Sequence, residues 1–299
     1  PLYDSSRAVS VDNLQYIRDP FPNNRISTDR INPVAAKAVG YYPSPNATVG
    51  PFDRNNYFVI SPEANRANGI IAKVDHSISD KHRLSVSVNS SNGLNDAANY
   101  FATAADPASS DVTFTSRSMN LDYVYTISAS TINTFSAGAS SSVSQATPAH
   151  EGNYASQLGL NDIHAPGFPV FSFGSYLNMG QGSPVSKTAN NSFAMTNSFS
   201  TRKGKHSVRL IGQYVSYQIN VYAPGSIAGS FSFDTGLTSL PGINDTGHAF
   251  ASFLLGLPSA ASISLTASPS YYRNQYGLVA LRESYEVRKN LTVSLALDL

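Results

Sequence analysis

The sequence predicts an all-β fold: part of an antiparallel transmembrane β-barrel with tight periplasmic turns and long extracellular loops carrying short helices. Three observations predict it. Polarity alternates with a period of two over several stretches, tight turns alternate with long polar connections, and the apolar rows are almost free of charge.

The first observation is clearest from Asn68 onward. Ile70, Ala72, Val74, His76 and Ile78 share one parity, and Ile71, Lys73, Asp75 and Ser77 the other. After the turn-like SDKH (79–82), Leu84, Val86 and Val88 alternate with Arg83, Ser85, Ser87 and Asn89. Period-two alternation of this kind marks a strand with one apolar and one polar face. The pattern returns at Met119, Leu121, Tyr123, Tyr125 and Ile127, and then at Phe135, Ala137 and Ala139. Phe193, Met195 and Phe199 lead into RKGK (202–205), followed by Val208, Leu210 and Tyr214. A last hairpin pivots at 288–290 into Leu291, Val293, Leu295, Leu297 and Leu299.

The connections carry the second observation. Turns near 79–82, 128–131, 202–205 and 288–290 are short, and polar segments at 92–114, 146–188 and 223–270 lie between them. Membrane barrels have this inequality, with short periplasmic turns and longer extracellular loops. Strands of about ten residues or more suit a tilted bilayer crossing.

Energetics supply the third. A Lys or Arg on the lipid face at the bilayer midplane costs about 2–4 kcal/mol, whereas lumen positions tolerate polarity. Lys73, Asp75, Arg83, Asp122, Arg209 and Asp298 all fall on the rows opposite the apolar ones. Glu283 is the exception, sharing parity with Val279, Leu281, Tyr285 and Val287. A bulge or a place near the membrane boundary would accommodate it.

Composition agrees. The chain has 299 residues, a net charge of +1 and 13% charged residues. That is about half the usual charged share, and no basic excess points to nucleic acid. There is no Cys, hence no disulfide framework and no thiolate site. No apolar run reaches the roughly 18 residues of a spanning helix. Ala249 to Leu257 is the most apolar stretch and ends at Pro258. The opening PLYDSSRAVS lacks the features of a signal peptide, and LTVSLALDL alternates to the last residue. The sequence therefore reads as a section of a longer protein.

Residues 1–65 form the other region, an extracellular loop or connector rich in Pro, Asn and Asp, with 66–299 as the partial barrel wall. One short helix is expected in 1–65, with Asn32 as N-cap, Pro33 at the first helical position and VAAKAV after it. A second is expected in TGHAFASFLLGLP, where Phe250, Phe253, Leu254 and Leu257 recur at helical spacing. Asp245 or Thr246 would cap it and Gly256 with Pro258 would stop it. Its expected role is to anchor the 223–270 segment on other loop material, with a surface lid as the alternative.

Candidate chemical sites are weak. RKGKHS (202–207) lacks the upstream Gly and the Ser or Thr directly after Gly-Lys that a phosphate loop needs, so a basic hairpin turn is expected. Asp75, His76, Asp80 and His82 have metal-ligating chemistry, but alternation splits Asp75 from His76 and no second cluster completes the set. His150 with Glu151, and His164 or His248 near serines, give no convergent catalytic arrangement. Asn46, Asn89, Asn190, Asn244 and Asn290 each begin an N-x-[ST] triplet, as chance alone predicts in so Asn- and Ser-rich a chain. No enzyme activity, cofactor or metal is expected. Ligand contact is assigned to the loops 92–114, 146–188 and 223–270 without individual residues.

Several segments resemble the TonB-dependent receptors of the Oar-like type found in acidobacteria and myxobacteria. They are RDPFPNNRISTDRINPVAAKAVGYYPSPN (18–46), KVDHSISDKHRLSVSV (73–88), GKHSVRLIGQY (204–214), GHAFASFLLGLP (247–258) and YGLVALRESYEVRKNLTVSLALDL (276–299). The resemblance implies an outer-membrane barrel of about 22 strands around a plug, preceded by a carboxypeptidase-regulatory-like domain. This chain would come from the first half of the barrel, without the plug, the TonB-contacting segment and the closing strands. It departs from the family at Arg282-Glu283, where Gln-Asp is usual, and at Tyr285, where Trp is usual. Trp is absent throughout, so Tyr and Phe must build the interface belts. Tyr123, Tyr125, Tyr214, Tyr271, Tyr272 and Tyr276 are candidates, although tyrosine also favours strands generally.

The function so implied is binding and import of an extracellular ligand across the outer membrane, with membrane lipid and the TonB complex as partners. The alternative is an outer-membrane adhesion or interaction barrel without active transport, in which 1–65 and 146–188 would be the working parts. A soluble secreted β-rich binding protein is a third possibility, which the apolar rows oppose, and a hydrolase is the least favoured.

Overall fold

The computed structural model describes residues 2, 9–11, 15–47, 55–108, 110–174, 176–181, 185–265 and 268–299. A small hairpin opens the chain, β1 (Val9–Val11) with β2 (Gln15–Ile17). The dominant element is an eight-stranded sheet. Its strands are β3 (Ala64–Ser79), β4 (His82–Asp96), β5 (Ser110–Ser128), β6 (Thr131–Pro148), β8 (Ser186–Lys203), β9 (His206–Tyr222), β12 (Ser270–Arg288) and β13 (Leu291–Asp298). Each pairs antiparallel with the wall strand before it, giving an up-and-down meander that does not close on itself.

The four tight turns fall where the alternation places them. Two-residue hairpins favour backbone with positive φ, and Gly204 supplies it at +59°. The β8–β9 pairing there runs in register to its last pair, Lys203 with His206. The other three turns have no such glycine, and each strand pair shifts register next to its turn, at Ser77/Ser79, Thr126/Ser128 and Glu286/Arg288. A bulge absorbs the twist that the turn does not provide.

The long connections occupy 97–109, 149–185 and 223–269. The first is shorter than the expected 92–114. Asn92 and Gly93 carry turn chemistry, yet both remain in β4 because the Phe114 ring lies over Gly93, where a Cβ would overlap it. An aromatic covering a strand glycine replaces the packing that glycine lacks.

Register aligns the apolar residues into one face across all eight strands. Val74, Val86, Leu121, Ala137, Met195 and Tyr214 form one hydrogen-bonded row. Phe199, Leu210, Leu281 and Leu297 lie in another. No second layer of described residues covers this face, and Leu295 and Leu297 are 69% and 54% exposed. The opposite face carries Ser85, Asp122, Ser136, Thr196 and Gln213. The rows are also oblique to the turns. The row that begins at His82, the first residue of β4, meets β9 at Leu210, four residues beyond its first residue His206. Such a stagger is the shear that strand tilt in a barrel requires.

In the long strands β4 to β12 the apolar band lies toward the turn side, and in the short β13 it runs the whole strand, Leu291 to Leu297. From Met119 to Tyr125 the band spans roughly 20 Å along the strand, or about 15 Å along the bilayer normal at ordinary strand tilt. Above it the same face becomes polar in a continuous row, Ser90, Arg117, Ser141, Asn191, Gln218 and Arg273. The wall strands other than β13 run 15 to 19 residues, longer than the roughly 9–11 needed to cross. The excess stands above the membrane on the loop side.

Glu283 is on the apolar face without any bulge at its own position. It lies near the turn end opposite Val208, where its Oε1 is 2.6 Å from His206 Nδ1. Among the tyrosines expected in belts, Tyr123 and Tyr125 flank His82 near the turns, and Tyr125 stacks on its ring at 4.3 Å. Tyr214 sits within the band and Tyr271 on the same face above it. Tyr272 and Tyr276 are corrections. Pairing with Ile219 and Val215 puts them on the polar face, so neither can belong to a lipid-side belt.

Candidate functional site

The buried apolar core is not under the sheet but in a cap on its loop side. Helix α1 (Pro33–Val39) forms as its sequence dictates. Asn32 Oδ1 accepts hydrogen bonds from Val34 N at 2.9 Å and Ala35 N at 3.4 Å, and Pro33 occupies the first helical position. Loop 149–185 contributes α2 (Tyr154–Leu158) and strand β7 (Val170–Phe173). Loop 223–269 contributes β10 (Ser230–Phe233), α3 (Ala249–Leu254) and β11 (Ala260–Ser262). Strands β7 and β10 pair in parallel, joining two loops through backbone bonds.

Aromatic side chains fill the space between. Phe171, Phe173, Phe233 and Phe253 are mutually packed, with ring centroids 5.0–6.4 Å apart. Phe101 from loop 97–109 and Ala35 and Ala38 from α1 join the same cluster. Such ring pairs add about 0.5–1.5 kcal/mol each beyond area burial. Polar ties complete the assembly. Arg18 donates to the carbonyls of Gly236 and Ser239, both at 2.8 Å; Thr103 Oγ1 donates to Tyr41 O at 2.8 Å; Tyr57 Oη donates to Tyr100 O at 2.7 Å. Residues 18–47 and 55–57 and the described parts of all three long loops thus form one packed unit.

The second helix serves as the expected anchor, with Phe253 1% exposed, but its capping differs. Its N-cap is His248, and Thr246 is turned away to Leu240 N and Ile243 O. The entry is fixed instead by buried Thr238, whose Oγ1 accepts from His248 N at 2.9 Å and lies 3.1 Å from Ser252 Oγ. Leu257 lies beyond the helix, which ends at Leu254.

Two further buried features escaped the sequence reading. Asp106 is fully buried, accepting from Phe101 N at 2.6 Å and Ala108 N at 2.7 Å, which ties off loop 97–109. The alternating VFSF and SFSF segments in the loops were the available signal for β7 and β10.

Titration in the cap reflects its packing. Burial, reinforced by neighbouring Tyr176, pushes the Tyr42 phenol up to about 12, against the opposing effect of its hydrogen bond to Leu177 O. Burial pushes His248 below its ordinary value; its Nε2 is 3.0 Å from Tyr176 Oη. Where the cap meets the wall, a cleft of about 440 Å³ is lined by Ser110, Asn178, Gln181 and Ser230, with Pro107 and Val170 beside them.

The other candidates are dispersed. Asp75 is on the polar face 3.1 Å from Lys73, while His82 is on the apolar face 2.6 Å from Tyr123 Oη. His150 Nε2 is 3.4 Å from Asn99 Nδ2 in the cap. RKGKHS is the β8–β9 turn. Asn89 and Asn190 lie within strands, and the Asn46 side chain bonds the backbone of Phe58.

A meander with one lipid-compatible face, one polar face, short turns at one end and a folded loop cap at the other is a section of an outer-membrane barrel wall. The chain belongs to the outer membrane beta barrel domain family, whose model matches residues 1–297, and its place is the outer membrane. No curated protein sequence matches it. Among solved structures it is similar to the outer membrane transporter YddB from Escherichia coli, at 10% identity and a TM-score of 0.47. That match covers 79% of this chain and 27% of YddB. It is also similar to the open form of the ferric-catecholate import receptor Fiu from E. coli K12, at 10% identity and a TM-score of 0.40, covering 87% of this chain and 40% of Fiu. The chain thus spans well under half of either structure.

Proposed function

We propose that this chain is the wall-and-cap section of a TonB-dependent outer-membrane receptor of the Oar-like type, which captures an extracellular ligand at the cap and imports it. One observation carries the reading. The described parts of the three long loops are gathered with residues 18–47 and 55–57 into a single aromatic-cored body, with a polar cleft at its junction with the wall. Loops serving only as connections have no need of a shared core, whereas a preformed concave surface lowers the ordering cost of binding. The polar inner face gives a water-compatible path below that surface. Energy would come from the inner membrane through TonB, acting on a part of the protein outside this chain.

The test uses the intact protein in its own host. Uptake of a panel of small iron chelates, oligopeptides and oligosaccharides is compared in wild-type, receptor-deleted and TonB-deleted cells. At least one compound should lose uptake in both deletions. Uptake that survives without TonB would refute active import. Loss of cell adhesion with no change in uptake would replace the receptor with an adhesion barrel.

A further inference from the structure

We infer that the inner wall between the membrane and the cap is a binding track for a neutral oligosaccharide, built on Tyr217, Tyr272 and Tyr276. The sugar chemistry rests on register and charge; import of the sugar rests on the receptor reading above. In the β9–β12 pairing Tyr217 stands opposite Asn274, with Tyr272 opposite Ile219 on one side and Tyr276 opposite Val215 on the other. All three share the polar face with Gln213, and they are 44%, 60% and 46% exposed. Among the described residues their rings touch no other ring and their hydroxyls make no hydrogen bond. Tyr272 and Tyr276 stand about 13 Å apart along β12, with Tyr217 on the next strand about 7–8 Å from each. That spacing describes a track along the wall, long enough for several linked sugar rings. Tyr217 and Tyr272 adjoin Gln218 and Arg273 of the polar row above the apolar band, so the track rises from the membrane toward the cap.

Charge decides the class of ligand. The hydrogen-bonded row through Tyr217 reads Asn89, Ser118, Ser140, Ser192, Tyr217 and Asn274. From this row up to the loops, the inner face of the wall strands from β3 to β12 carries no Lys, Arg, Asp or Glu. Lys73, Asp75, Arg83, Asp122 and Arg209 all stand on inner-face rows nearer the turns. An ionic ligand at the height of the tyrosines would therefore meet no complementary charge. A purely apolar ligand would leave the amides and hydroxyls of the row unused. A sugar ring matches both kinds of group. Its C–H faces lie flat on aromatic rings, and its rim of hydroxyls needs donors and acceptors together. Tyrosine offers an apolar face with a polar tip. The Asn89 and Asn274 side chains, which make no hydrogen bond among the described residues, each bring two donors and an acceptor.

The test titrates the intact protein in lipid vesicles with maltohexaose, cellohexaose and xylohexaose, with a neutral Gly-Ser oligopeptide and with an anionic iron chelate, by calorimetry. At least one hexasaccharide should bind. Its affinity should fall about tenfold in Y217A/Y272A/Y276A and far less in Y217F/Y272F/Y276F, which keeps the three rings. Heat-modifiable gel mobility identifies folded barrels, and only these are compared. Binding of none of the saccharides, equal affinity in the alanine variant, or tighter binding of the peptide or the chelate would overturn the site. Tyrosine-dependent binding of a hexasaccharide whose uptake survives loss of TonB would support the site and refute the receptor reading. TonB-dependent uptake of the peptide or the chelate alone would do the reverse.

Discussion

Gly256 lies directly against the side-chain amide of Asn32, so the end of α3 is built onto the beginning of α1. Asn32 N donates to Leu254 O at 2.8 Å while its own side chain caps α1, and Gly256 holds φ at +70°. A Cβ at Gly256 would overlap the Asn32 amide. Gly256→Ala therefore combines strained backbone with a clash and should destabilise the cap by about 1–3 kcal/mol. Asn32→Ala should cost about 1 kcal/mol through the lost cap. Limited proteolysis of the intact protein in outer-membrane vesicles should show faster cleavage of the cap in both variants, with gel mobility of the folded barrel unchanged.

Acid should loosen the cap through His248. Its folded-state pKa is lowered by burial, so the unfolded form binds the proton more readily. The neutral ring's contribution is complete above the ordinary value of 6.5 and is lost as pH falls toward the folded value. Cap proteolysis should accelerate between pH 7.5 and 5, and His248→Gln should flatten that dependence. An unchanged pH profile in the variant would remove His248 as the cause.

Alkali should act through Tyr42. Its phenol is raised from 10.0 to about 12, so its contribution is complete below pH 10 and is lost as pH rises through the folded value. Tyr42→Phe cannot ionise and should resist this alkaline loosening, although it forfeits the 2.9 Å bond to Leu177 O at neutral pH. Tyrosinate absorbance and proteolysis followed together over pH 9 to 12 give the comparison.

The lipid face can be tested at two neighbouring residues. Met195 lies on the apolar face beside Ala137 and Tyr214, while Thr196 lies on the polar face beside Ser136 and Gln213. Met195→Arg should destabilise the barrel in bilayers by about 2–4 kcal/mol, and Thr196→Arg by much less. Urea titration of the intact protein in lipid vesicles measures both. Equal losses would contradict the face assignment.

The wall was legible because a period of two and the spacing of turns are local properties. Leu84, Val86, Leu295 and Leu297 declare a face from neighbouring residues alone. The cap was less legible because its core joins residues more than a hundred positions apart, as when Arg18 reaches Ser239. Asn32 and the Phe253 helix could be read locally, but the role of Thr238 at the α3 N-terminus depends on how the 234–248 loop folds back. Tyr272 and Tyr276 show the same limit in the sheet. Residue type suggested a belt, and only register revealed the polar face. No single residue type marked the grouping of Tyr217 with Tyr272 and Tyr276, which exists only through strand pairing.

The sheet's two margins give the last prediction. Among the described residues, β3 pairs with β4 alone and β13 with β12 alone, so each presents a row of backbone groups without a partner there. Beside those rows lie Ile70 and Val74 on one edge and Val293 and Leu295 on the other, all exposed. Open strands flanked by apolar side chains recruit further strands, and such edges are not tolerated in lipid. Residues 1–299 expressed alone should therefore aggregate in buffer and fail to give a cooperative unfolding transition. The cap could still retain its tertiary near-ultraviolet signal, because its aromatic core closes on itself. Gel filtration with light scattering measures the outcome, and a monodisperse, detergent-free monomer would contradict both the open edges and the lipid-facing band.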